Sequence, residues 1–180
     1  MNSENANCSI HNECERIVPS WLVLLDNIPT AILFVLGVIL VDLVWWPLAI
    51  LMMIYNLASI VLFWALICRY CHHFNTRACP CGYGVIAPKW FRRIEGGNFR
   101  KIFRRNIAIM YPCWLFPLVA GLYLLYARYS RSILIVFSAF VIVGFILIPA
   151  ISKLVGCKGC DLKDQCPWMT SESKEDSAHH

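Results

Sequence analysis

Ten cysteines stand in a chain of 180 residues, and they are gathered rather than scattered. The stretch "CRYCHHFNTRACPCGYG", residues 68–84, carries Cys68, Cys71, Cys79 and Cys81. A C-x2-C spacing turns the chain back on itself within a few ångströms, so both thiols can reach one ion or cluster. Pro80 stiffens the link between Cys79 and Cys81. Gly82 and Gly84 then allow a tight turn whose backbone amides can be aimed at sulfur. Four cysteines on one loop are enough to close a tetrahedral zinc site or to hold an iron–sulfur cluster, since soft thiolates suit both.

A second group, Cys157, Cys160 and Cys166, lies in "VGCKGCDLKDQCPW", residues 155–168. It repeats the first as C-x2-C followed by cysteine and proline, at offsets of 89, 89 and 87 residues. Cysteine followed by proline closes bacterial ferredoxin runs, but the C-x2-C-x2-C that precedes it there is absent here. Three thiols need a fourth ligand, for which Cys8, Cys14 and His11 near the N-terminus are the candidates. Without one, the fourth position stays open, as in a reactive cluster or catalytic metal, or the three are ordinary thiols. His72 is an alternative ligand in the first group. No histidine falls within an apolar span, so a transmembrane bis-histidine haem is not expected.

These thiols must be positioned by the elements around them, and those are apolar. The chain is 59% hydrophobic and 15% charged, against about a quarter charged for a soluble domain. Four stretches meet the roughly 20-residue length that spans a bilayer: 28–44 (or from 21), 47–67, 106–127 and 132–151. The expected fold is an all-α integral membrane protein, four transmembrane helices in two hairpins with a Cys-rich cytosolic loop and tail. The divisions are a polar N-terminal arm with an interfacial segment (1–27), hairpin 1 (28–67), a Cys-rich basic amphipathic loop (68–105), hairpin 2 (106–151), a Cys-rich tail (152–168) and a disordered C-terminus (169–180). The first residues show no basic segment before an apolar run, so insertion through the first helix itself is expected.

Orientation follows from lysine and arginine. Nine lie in 68–105, four on the tail and one on the arm, while the two short turns hold only Arg128 and Arg131. The arm, loop and tail therefore belong on the cytosolic side of a cell (inner) membrane. Thiols there are kept reduced, so metal ligation or thiol chemistry is a better reading than a disulfide framework.

The stretch "PKWFRRIEGGNFRKIFRRN" interleaves aromatic and basic residues. It reads as two short amphipathic helices, one on Trp90, Phe91 and Ile94, the other on Phe99, Ile102 and Phe103. Arg92, Arg93, Arg100, Lys101, Arg104 and Arg105 face anionic inner-leaflet lipid. The positive-inside placement accounts for this charge, so nucleic acid is not an expected partner. Asn56 is placed to hydrogen-bond a neighbouring helix, and Asp26 or Asn27 to cap the first helix before Pro29. Pro112 and Pro117 kink the third span near Cys113. No acid or base lies at mid-membrane, which counts against ion-coupled transport.

The functional expectation is a membrane-embedded metal-binding protein with thiolate-ligated iron–sulfur clusters on its cytosolic face. It would carry electrons from a soluble carrier to a membrane partner or quinone, alone or within a larger membrane complex. The alternative is a zinc-stabilised adaptor or accessory subunit without redox activity. No base, nucleophile or nucleotide loop assigns an enzymatic reaction.

Overall fold

The computed structural model describes residues 18–96 and 98–157; for 155–157 this extends to the backbone only. Among the described residues the secondary structure is entirely helical. The helices are α1 (Ser20–Asp42), α2 (Trp46–Leu66), α3 (Tyr83–Ile86), α4 (Phe99–Asn106), α5 (Pro112–Ala127), α6 (Arg131–Val141) and α7 (Ile148–Ile151). Four helical stretches are long and apolar enough to cross a membrane: Ser20–Asp42, Trp46–Tyr70, Phe99–Ala127 and Arg131–Leu154. The 23 residues of α1 alone span roughly 34 Å, more than the ~30 Å of a bilayer's hydrocarbon core.

The outward faces are apolar. Val35 is 59% exposed, Leu51 62%, Val119 64% and Ile135 68%. Surfaces this continuous and apolar would aggregate in water and are satisfied by lipid. Trp45 and Trp46, both exposed, stand between α1 and α2, where indole rings suit a membrane–water interface. This is the architecture of a multi-pass membrane protein.

The first helix is the hub, packing on α2, α5 and α6. Its buried stripe is Pro29, Leu33, Gly37, Leu40 and Val41, at helical spacing. Leu33 and Leu40 join Leu124 and Phe140 in one core; Val41 joins Ala49, Met52 and Cys113 in another. Gly37 permits a close approach, because a Cβ there would stand 2.9 Å from Pro117 Cγ. In lipid, such small-residue contacts replace the hydrophobic effect as the source of helix–helix affinity.

Several boundaries differ from the sequence reading. The first helix begins at Ser20, next to the earlier of the two expected starts, 21, rather than at 28, and runs through Pro29. Asp26 and Asn27 therefore lie inside it and do not cap it. Prolines shape the other spans. Pro112 lacks an N–H, and the chain tightens to a 3-10 turn at Ile107–Met110 between α4 and α5. Pro149 likewise cannot donate, and the backbone widens to a π-turn over Ile142–Leu147 just before it.

Asn56 does not make the expected interhelical bond. It is 3% exposed, yet neither its Oδ1 nor its Nδ2 has a hydrogen-bond partner among the described residues. The neighbouring Ser59 hydroxyl is used instead, donating to the Asn56 carbonyl at 2.8 Å and lying 3.4 Å from Cys113 Sγ.

Candidate functional site

The site begins where α2 ends. After Leu66 the chain passes into a 3-10 turn, Cys68–Tyr70, and the Cys71 N–H closes back on the Cys68 carbonyl at 3.1 Å. Cys68 is buried with Phe74 and Ala87 in a small core covered by Phe63, Trp64 and Tyr83. The Tyr83 ring stands edge-on to both Phe63 and Trp64, at 6.0 and 5.7 Å. This aromatic cover buries Cys68, while Cys71, Cys79 and Cys81 are half-buried.

The second pair is set by a turn that only these residues allow. The Gly82 N–H returns to the Cys79 carbonyl at 3.1 Å, and Gly82 has φ +73°, the left-handed region. Gly84 sits against His73 O, Thr76 O and Cys79 Cβ, with no space for a side chain. The Asn75 N–H bonds the Gly84 carbonyl at 2.9 Å, tying the 73–76 turn to the 79–84 turn.

The N-terminal end of α1 clamps this turn. The Val18 N–H donates to the Arg77 carbonyl at 3.0 Å, and Asn27 Nδ2 donates to the Cys81 carbonyl, also at 3.0 Å. The Asp26 carboxylate lies close enough to the Cys81 thiol for its charge to act there. The N-terminal part of α1 thus has a purpose: it carries Asp26 and Asn27 to the thiol loop. Sequence reasoning missed Asp26, Asn27 and Tyr83 as parts of this site, and the only hint was polar residues set in an apolar helix.

The electrostatics separate the two thiols. A hydrogen bond from the Cys81 thiol holds Cys79 well below an ordinary thiol, at about 6, against the opposing effect of burial. The backbone N–H groups of Gly84, Cys81 and Tyr83 add to that lowering. Cys81 is pushed well above 9, first because it keeps its proton to donate a hydrogen bond to the Cys79 thiolate, then by burial and by the Asp26 charge. The pair thus shares one proton and titrates as a unit. Burial, followed by the charges of Cys81, Asp26, Cys68 and Cys79, raises the Tyr83 hydroxyl.

The predicted ligands are therefore brought together in part. Cys68, Cys71, Cys79 and Cys81 share one neighbourhood. Among the described residues, however, no three side chains of His, Cys, Asp or Glu form a group that could hold a metal ion as they stand. His72 is exposed and lies edge-on to the buried His73, with ring centroids 5.9 Å apart. The Cys157 backbone closes a final π-turn, Ser152–Cys157. Cys8, His11, Cys14, Cys160, Cys166 and the 169–180 segment lie outside the described residues.

The basic loop departs from expectation. The first amphipathic helix, on Trp90, Phe91 and Ile94, does not form; residues 91–96 are irregular. Arg69 holds them instead: its Nε donates to the Arg92 carbonyl at 2.9 Å, its carbonyl accepts from Ile94 N–H, and its guanidinium lies over Phe91. The second helix is α4, capped by the Asn98 side chain, which accepts from Lys101 N–H. The chain matches no protein-family model, no curated protein and no solved structure.

Proposed function

We propose that the chain holds a soft metal centre on thiolates at the cytosolic membrane face, an iron–sulfur cluster that passes electrons to a membrane partner or quinone. One observation carries the reading: Cys79 and Cys81 share a turn that the start of α1 clamps, three backbone N–H groups converge on Cys79, and the neighbouring Tyr83 packs against the core that buries Cys68. Amide hydrogen bonds to sulfur stabilise a ligating thiolate and tune the potential of an iron–sulfur cluster. Cys68, Cys71, Cys79 and Cys81 would hold the metal, and their binding to it would require loss of the proton that Cys79 and Cys81 share. In this reading the spans form two hairpins in a cell (inner) membrane, and both termini are cytosolic. Cys157, Cys160 and Cys166 make a second centre with help from Cys8, Cys14 or His11. The electron donor is a small soluble carrier, or a subunit of a larger complex.

A second reading is a zinc-stabilised adaptor or accessory subunit without redox activity. The clamp from α1 favours it, because a turn pinned by Val18, Asn27 and Asp26 is what a static cap requires.

The deciding experiment is metal and sulfide analysis with an absorption spectrum, on protein purified without oxygen. Iron, sulfide and a broad band near roughly 400 nm that dithionite bleaches are expected for a cysteine-held cluster. Stoichiometric zinc in a colourless sample establishes the second reading. Neither metal, with every thiol titrating, overturns both.

A further inference from the structure

The charge of the 89–105 segment is unbalanced. It carries seven lysines and arginines and a single acid, Glu95. The only other carboxylates among the described residues are Asp26, engaged with Cys81, and Asp42, at the far end of α1. Among the described residues, three carboxylates in all stand against the seven cations of this segment.

Two contacts bring both halves of the segment to the same level. Arg69 binds the Arg92 carbonyl and the Ile94 N–H, holding 91–94 beside the last turn of the second span. Asn106 Nδ2 donates to the Leu66 carbonyl at 3.4 Å, holding the end of α4 beside the same turn. The level itself follows from length. The helical stretch Phe99–Ala127 has 29 residues, so it measures at least roughly 43 Å, some 13 Å beyond the ~30 Å hydrocarbon core. That excess is about the length of α4. Its apolar residues Phe99, Ile102 and Phe103 are half-buried, and Lys101, Arg104 and Arg105 are exposed. Trp90, 76% exposed, adds an indole of the kind that settles among headgroups.

We infer that Lys89, Arg92, Arg93, Lys101, Arg104 and Arg105 form a platform that binds anionic phospholipid headgroups of the surrounding bilayer. Guanidinium forks match phosphodiester oxygens in pairs, and lysines add point charge. The occupant is lipid rather than another polyanion because α4 continues into a membrane-spanning helix, which fixes the cations in the headgroup layer whatever else is present. The platform predicts selection among lipids, beyond setting orientation. It is independent of which metal the thiols take.

The test uses the full-length protein in bilayer nanodiscs of phosphatidylcholine containing spin-labelled phosphatidylglycerol or spin-labelled phosphatidylcholine. The motionally restricted fraction of each probe is read by electron paramagnetic resonance. The expected result is at least about fivefold preference for phosphatidylglycerol, falling with salt, since one cation at the surface is worth about that factor. The variant R92Q/R93Q/K101Q/R104Q/R105Q should show equal restriction of both probes, with unchanged helical circular dichroism. If that variant fails to fold, K101Q/R105Q should still lower the preference. Equal restriction of both probes by the wild type overturns the proposal. So does a preference that the charge variants leave intact, or a DNA or RNA oligonucleotide that abolishes it at submicromolar concentration.

Discussion

Cys79 should behave as an unusually acidic thiol in metal-free protein. Its pKa lies at about 6, against 9 for an ordinary cysteine. At pH 7 about nine-tenths of Cys79 is then thiolate, against about one-hundredth of an ordinary thiol. Acidic thiolates are intrinsically poorer nucleophiles, by roughly 16- to 32-fold over this interval at a Brønsted slope of 0.4–0.5. The net advantage at pH 7 is therefore modest, about three- to sixfold. At pH 5.5 the ordinary thiol is almost wholly protonated, and the advantage grows to roughly 25- to 50-fold. The assay is stopped-flow exchange with an aromatic dipyridyl disulfide from pH 4.5 to 9.5, with the modified cysteine identified by mass spectrometry. Cys79 should be modified first, with a rate midpoint near pH 6. Replacing Cys81 by Ala removes the largest cause of the shift, so the midpoint should move upward toward 9. A Cys79 midpoint at or above pH 8 in the wild type, or no movement in Cys81→Ala, would refute the geometry assigned to the pair.

The same shifts give a pH profile for stability. Cys79 is depressed on folding, so its contribution is fully present above about pH 9 and is lost as pH falls through about 6. Cys81 and Tyr83 are raised, so they oppose folding once pH climbs above their ordinary values. Thermal unfolding of the metal-free protein in detergent should show highest stability near pH 8–9 and losses on both sides; a flat profile contradicts the assignment. Gly84→Ala puts a methyl against His73 O, Thr76 O and Cys79 Cβ, an overpacking worth about 1–3 kcal/mol. It should lower the melting temperature and abolish the selective labelling of Cys79. Asn56→Leu removes two unpartnered buried atoms and should leave stability unchanged or raise it by about 1–3 kcal/mol, whereas Asn56→Asp should lower it. Clear destabilisation by Asn56→Leu would mean that the amide has a bound partner. A fluorescent protein fused at the C-terminus should glow and alkaline phosphatase there should stay inactive; the opposite pair of results reverses the proposed orientation.

Length and apolarity made the four spans readable, because a bilayer demands about 20 apolar residues per crossing and little else in a sequence meets that demand. Boundaries were less readable. Ser20–Asp42 looks shorter in sequence because Pro29, Asp26 and Asn27 resemble a helix start. Neighbouring helices can compensate the backbone bond that a proline removes, so the helix runs on through it. The glycine-bearing turn after Cys79 and Pro80 was legible for a local reason: a left-handed Gly82 and amides turned toward sulfur follow from the types and order of five adjacent residues.

What the sequence determined alone is therefore what depends on neighbours along the chain: four membrane-length apolar helices, the asymmetry of charge, and the short-range thiol turns. What only the tertiary structure decided is which distant groups meet those turns. Asp26 and Asn27 reach Cys81 across more than fifty residues, Tyr83 closes over the sulfurs, and Arg69 straightens a segment whose own pattern favours a helix. Asn56, patterned to join a neighbouring helix, has no hydrogen-bond partner among the described residues, and Ser59 makes the contact with Cys113. Local geometry is written in residue type and spacing. Pairing between helices depends on their rotation and depth, and an apolar helix with lipid on its outer side constrains neither.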